Sequence, residues 1–143
     1  MLETSLQAHY CFDACALLAF LNDEEGADKI EDLLNKSVAN DISVSMSIVN
    51  LLEVYYGELR DKGEEISKIV LDMVRHYSIK VVNTVSEQAF HEAARLKAKY
   101  KMSLADCIGL ATAKELSGQF VTSDYKEIEA VAESEPSAIF WFR

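Results

Sequence analysis

The sequence predicts an α/β fold, a three-layer α/β/α sandwich on a mainly parallel sheet. Short apolar runs of β-forming residues alternate with segments of helical period along the whole chain. No repeat, low-complexity tract or linker breaks that alternation, and 143 residues suit a single domain spanning 1–143. Acids stand where the predicted strands give way to helices.

His9-Tyr-Cys-Phe12 is a buried-strand candidate ended by Asp13, and Ala14 to Leu21 follows as an apolar helix closed by Asn22-Asp-Glu-Glu25. A second helix runs from about Glu25 to Asn35, with Ala27, Ile30, Leu33 and Leu34 on one face. Ile42 to Ser45 alternates as a strand does. Ser47 is placed to cap a helix from Ile48 to about Asp61, with Gly63 just past its end. Ile48, Leu51, Leu52 and Tyr55 form its expected buried stripe, and Glu53 lies beside that stripe.

Glu65 to Tyr77 is another amphipathic helix, carrying Ile66, Ile69, Val70, Met73 and Val74, and it leads into the strand Ile79 to Val82. Thr84-Val-Ser-Glu87 has capping-box spacing and opens a helix that ends near Tyr100. From Met102 to Asp124 the chain reads helix, glycine, strand, acid: Leu104, Ile108 and Ala111 keep a helical period, Gly118 stops it, and Gln119 to Thr122 is a strand. A short helix through Ile128 and Val131 follows, and Ser137 to Phe142 is the last strand.

A formal charge of −10 repels polyanions over a Debye length of about 8 Å, so a role on nucleic acid must rest on a local site containing cations. Cys11, Cys15 and Cys107 lack zinc-ligand spacing and suit a reducing compartment. The longest strongly apolar run, Ala14 to Leu21, is too short to span a bilayer and lacks the basic front of a signal peptide. The expectation is a soluble cytoplasmic protein with no membrane partner, in which only the first eight residues lack order.

Asp13, Glu53, Asp106 and Asp124 sit at element boundaries or amid apolar residues. Each has a structural explanation: Asp13 and Asp124 can cap the helices after them, Ser103-Leu-Ala-Asp106 is itself a capping box, and Glu53 can snorkel from a buried face. Their joint placement says more. In a parallel sheet Asp13 and Asp124 both leave strands at the ligand-binding edge. Asp106 reaches that edge only if the helix within 85–100 first carries the chain across the sheet. At an effective dielectric of about 20, two such charges about 5 Å apart repel by roughly 3 kcal/mol. A divalent cation offsets this, and an oxygen-only donor set suits Mg²⁺ or Mn²⁺.

Phe12-Asp-Ala-Cys-Ala-Leu-Leu-Ala-Phe-Leu21, Asn50-Leu-Leu-Glu-Val-Tyr-Tyr-Gly57, Leu104-Ala-Asp-Cys-Ile-Gly-Leu-Ala-Thr-Ala113 and Phe120-Val-Thr-Ser-Asp124 together resemble the PIN-domain family, and most of all its VapC-type toxin ribonucleases. The resemblance covers nearly the whole chain in order. It implies a five-stranded parallel sheet in the order 3-2-1-4-5. It also implies that Asp13, Glu53, Asp106 and Asp124 are catalytic and hold one or two Mg²⁺ or Mn²⁺ ions for endonucleolytic RNA cleavage, leaving a 5′-phosphate and a 3′-hydroxyl. Thr122 matches a small hydroxyl residue that supports the fourth acid. Cys15 stands where the family usually has Ser, Thr or Asn, and a thiol is a poor substitute as a donor or acceptor.

Arg95, Lys97, Lys99 and Lys101 crowd seven residues ahead of the Asp106 helix, either as cations at a helix C-terminus or as a phosphate-contacting rim for RNA. The resemblance further implies a homodimer and a small antitoxin partner. The alternative is a catalytically silent PIN-fold module that binds protein or RNA, its metal site spoiled by Cys15.

Overall fold

In the computed structural model, which describes residues 7–143, the strands are His9–Phe12 (β1), Ser43–Ser47 (β2), Lys80–Val82 (β3), Gln119–Thr122 (β4) and Ile139–Trp141 (β5). They form one sheet in the order β3-β2-β1-β4-β5, every neighbouring pair parallel. The helices are Ala14–Leu21 (α1), Ala27–Val38 (α2), Ile48–Lys62 (α3), Glu64–His76 (α4), Glu87–Lys99 (α5), Leu104–Glu115 (α6) and Tyr125–Ser134 (α7). Of the eight residues expected to lack order, 1–6 lie outside the described residues. Gln7 donates to the Asn40 carbonyl at 2.7 Å, and the Ala8 carbonyl accepts from Ser43 N at 2.9 Å.

Side chains alternate across the sheet, and the core divides accordingly. Phe12 and Val121 point into a cluster with buried residues of α1, α2, α3 and α4, while Cys11 and Phe120 point into a second cluster with α5, α6 and α7. This is the expected three-layer sandwich, with the central strand β1 covered on both faces.

The carboxyl edge of the sheet collects the starts of three helices. Asp13 and Asp124 cap α1 and α7 directly after β1 and β4, and Ser47 caps α3 directly after β2. The start of α6 arrives there because α5 lies antiparallel to it. Ser86, at the start of α5, donates to Glu115 at the end of α6, and Lys97, near the end of α5, donates to the Met102 carbonyl at 2.7 Å. The crossing that Asp106 requires is therefore made by α5.

Several local expectations need correcting. Ile48 and Leu52 of the expected α3 stripe are 44% and 59% exposed, and the buried face is instead Asn50, Leu51, Val54 and Glu58. The helix carries apolar residues on two faces, so periodicity alone did not fix its rotation. Ile66 and Ile69 of α4 are exposed for the same reason. Thr84 does not open α5: Ser86 is the cap, accepting from Ala89 N at 3.0 Å, and its hydroxyl is pinned by Glu115. Gly118 is required by proximity, because a Cβ there would lie 2.6 Å from the His9 carbonyl oxygen; the left-handed turn after α6 falls on Ser117.

Candidate metal centre

Asp13 is fixed by three contacts. Its backbone N–H donates to the Val121 carbonyl at 3.0 Å, one carboxylate oxygen caps Ala16 N at 2.8 Å, and the other accepts from Thr122 Oγ1 at 2.5 Å. Thr122 also uses its hydroxyl oxygen to accept from Asp124 N at 3.0 Å. One buried hydroxyl thus joins the first and fourth acids of the sequence motif.

Asp106 lies in the first turn of α6, where Ser103 Oγ accepts its N–H at 3.2 Å. In a complete capping box the Asp106 carboxylate would accept the Ser103 N–H in return. Glu127 takes that N–H instead. Among the described residues nothing donates to the Asp106 carboxylate, and oxygens of Asp106, Asp124 and Glu127 lie within 4.8 Å of one another. Glu127 was not singled out from the sequence; its signal is the spacing Asp124-x-x-Glu127, which puts both acids on one face at the start of a helix. Glu53, on α3, accepts from Asn50 Nδ2 at 3.1 Å.

Asp13 and Glu53 lie outside that 4.8 Å group but near enough for the four acids named from the sequence to act on one another electrostatically. Burial pushes the Asp13 carboxyl up to about 7, opposed by the bonds from Thr122 and Ala16 and assisted by the charges of Asp124 and Glu53. Burial pushes Asp106 up to about 8, with Asp13, Glu127, Glu53 and Asp124 all adding repulsion. Cys15 is half-buried in the same field, and desolvation with Asp13, Asp124 and Asp106 drives its thiol up to about 12, so it is a neutral S–H.

This donor set fits a hard divalent cation. The oxygens of Asp106, Asp124 and Glu127 within 4.8 Å of one another, beside an Asp13 whose carboxyl is, like that of Asp106, pushed toward the protonated form, would suit such an ion.

The basic run is mostly engaged. Arg95 donates two bonds to Glu92, at 2.8 and 2.6 Å, and also reaches Glu135 at 3.2 Å; Lys114 bridges the same two acids. Lys97 is spent on the Met102 carbonyl, and Lys99 lies 5.2 Å from the Tyr100 ring centroid. Lys101 is exposed.

Among the described residues no helix is long and apolar enough to cross a membrane. No curated protein sequence matches the chain. Solved structures do. A toxin–antitoxin complex from Klebsiella pneumoniae is 19% identical over 94% of this chain and 98% of its own, with a TM-score of 0.69. VapBC2 from Rickettsia felis, bound to a DNA fragment from its promoter, is 15% identical over 93% and 98%, with a TM-score of 0.73. VapC20 from Mycobacterium tuberculosis, a toxin that cleaves the sarcin-ricin loop, is 15% identical over 77% and 85%, with a TM-score of 0.60. At these identities the likeness speaks for the shared fold. The sequence profile of the PIN domain matches residues 10–134, which run from β1 to the end of α7 and include Asp13, Glu53, Asp106, Asp124 and Glu127, so the chain belongs to the PIN domain family.

Proposed function

We propose that this protein is a metal-dependent endoribonuclease of the VapC type, the toxin of a toxin–antitoxin pair. The observation that carries the reading is the meeting of Asp13, Glu53, Asp106 and Asp124, with Glu127, at one sheet edge, where Asp13 and Asp106 resist ionisation unless a cation joins them.

Those carboxylates would hold Mg²⁺ or Mn²⁺. A bound ion of this kind polarises a phosphodiester and lowers the pKa of a water beside it. The chain's own part is to present the carboxylates without rearrangement. Asp13 is immobilised by the Ala16 N–H and the Thr122 hydroxyl, and Asp124 is tied to the same hydroxyl through its N–H. Preorganised charge of this sort is where enzymes gain most, because nothing has to reorient during reaction.

Exposed Lys101 is the best placed of the four basic residues to meet an RNA phosphate, because Arg95 and Lys97 are already bonded within the protein. The exposed Ile48, Leu52 and Tyr56 on α3, with Ile66 and Ile69 on α4, support an antitoxin or a second protomer as partner, since two neighbouring helices leave apolar side chains uncovered.

The deciding experiment is cleavage of structured RNAs with Mn²⁺ or Mg²⁺ by the purified protein and by Asp13→Asn and Asp106→Asn. The reading expects both variants to lose cleavage. Equal activity in all three sinks it. The silent-module reading draws on Cys15, whose neutral thiol sits among the acids, and it expects no Mn²⁺ binding that depends on them.

A further inference from the structure

Asn50 is a polar side chain buried without remainder in the first full turn of α3. Among the described residues it makes one hydrogen bond, from Nδ2 to Glu53 Oε1 at 3.1 Å, and its buried Oδ1 has no partner. A leucine of similar size would fill the same space without taking an amide out of water. Packing alone therefore does not account for this residue.

Two features show what it does. Glu53 is a long, flexible side chain within reach of the Asp13 and Asp106 carboxyls, so its place in the cluster depends on what holds it. Among the described residues, Asn50 Nδ2 is the donor that does so. On the other side, Asn50 is seated on Gly109 of α6: a Cβ at Gly109 would lie 2.3 Å from Asn50 Oδ1 and 2.7 Å from the Phe120 ring. Gly109 comes three residues after Asp106. Asn50 is thus a key between the helix that carries Glu53 and the helix that carries Asp106.

We infer that Asn50 is a positioning residue of the metal centre: its Nδ2 engages one oxygen of Glu53 and leaves the other for the ion, while its seat on Gly109 sets α3 against α6. The inference rests on the metal-dependent reading above. It assigns a specificity of geometry to a residue that touches neither ion nor substrate, and groups in such places typically change metal affinity by about 10–100-fold.

The test is calorimetric titration with Mn²⁺ of the wild type, Asn50→Leu, Glu53→Gln and the double variant, with the melting temperature of each measured in chelator. Asn50→Leu is expected to bind Mn²⁺ at least about tenfold more weakly while melting no lower than the wild type, and to add nothing in the Glu53→Gln background. Asn50→Ser, which leaves more space and cannot reach Glu53, is the second variant if leucine fails to fold, with the same expectation for affinity. Wild-type affinity in the soluble Asn50 variants, or an equal further loss on top of Glu53→Gln, overturns the inference. If the wild type itself binds no Mn²⁺, the metal-centre reading fails; if it binds and the Asn50 variants match it, only this inference fails, so the two failures are distinguishable.

Discussion

Glu127 accepts the Ser103 backbone N–H, and so completes the cap of a helix from which it is separated by a whole strand. This releases Asp106 from its own capping box and ties the start of α7 to the start of α6. Replacing Glu127 by Ala returns that N–H to Asp106, which must then turn from the ion. We expect Mn²⁺ affinity to fall by about 10–100-fold, read by calorimetry, as for other groups that orient or supplement metal ligands. An unchanged affinity would show that the Ser103 cap and the acid cluster are independent.

The raised carboxyls make metal-free stability depend on pH. Asp13 and Asp106 move from 3.8 to about 7 and about 8, so between those values the folded chain holds more protons than the unfolded one. Their contribution is fully present at low pH and is lost as pH rises through about 7 and 8. Glu92 acts in the opposite sense: the Arg95 guanidinium, helped by Lys114, holds it down from 4.5 to about 2, so its contribution is present above 4.5 and lost toward about 2. In chelator the melting temperature should therefore fall from about pH 4.5 to about pH 8 and level off above it. Asp106→Asn should flatten that fall and melt higher at the alkaline end, and excess Mn²⁺ should raise the wild type most where the fall is deepest.

Gly109→Ala tests close approach without touching any acid. The new methyl would meet Asn50 Oδ1 at 2.3 Å and the Phe120 ring at 2.7 Å, with buried groups on both sides. Overpacking of this kind costs about 1–3 kcal/mol, to be measured by urea unfolding. Gly57→Ala, with nothing near its added Cβ, is the control and should be neutral or slightly stabilising within the helix.

Cys15→Ser restores a hydroxyl where the family usually has a small polar residue. A neutral thiol is a weak partner, whereas a serine can donate to a carboxylate or accept from a water. The variant should bind Mn²⁺ and cleave RNA at least as well as the wild type. A loss of cleavage would mean that the thiol itself has a role.

Arg95 and Lys101 lie close in sequence but should behave differently. Arg95 joins Glu92 and Glu135, with Lys114 completing the group, so Arg95→Ala should lower stability by up to about 1 kcal/mol, less at high salt, as for partly exposed pairs. Lys101→Ala should leave stability alone and weaken RNA binding, with a shallower dependence on salt. Filter binding and thermal melting on the same samples separate the two.

The strands and most helix ends were legible because their signals are local. His9–Phe12 and Ala14–Leu21 fall where the sequence puts them, as do Ser47 at the start of α3 and Gly63 at its end. The rotation of α3 was not legible, because Leu51 and Leu52 both satisfy a helical period and only the packing chooses between them. Glu127 was missed for a related reason. Its partner is a backbone N–H far away in sequence, and no side-chain pattern announces such a bond. Arg95 and Lys97 read equally as helix-end cations or as a phosphate rim, because the acids and the carbonyl that engage them are brought in only by the fold.

β1 is the middle strand of the sheet although it precedes the other four strands in sequence, and the strand beside it that brings Asp124 is the fourth. A nascent chain that has emerged only as far as α6 already contains Asp13, Glu53 and Asp106, yet it lacks the hydroxyl that steadies Asp13 and the glutamate that frees Asp106. The acids and the groups that set them therefore come together only after β4 has docked against β1 and α7 has followed it.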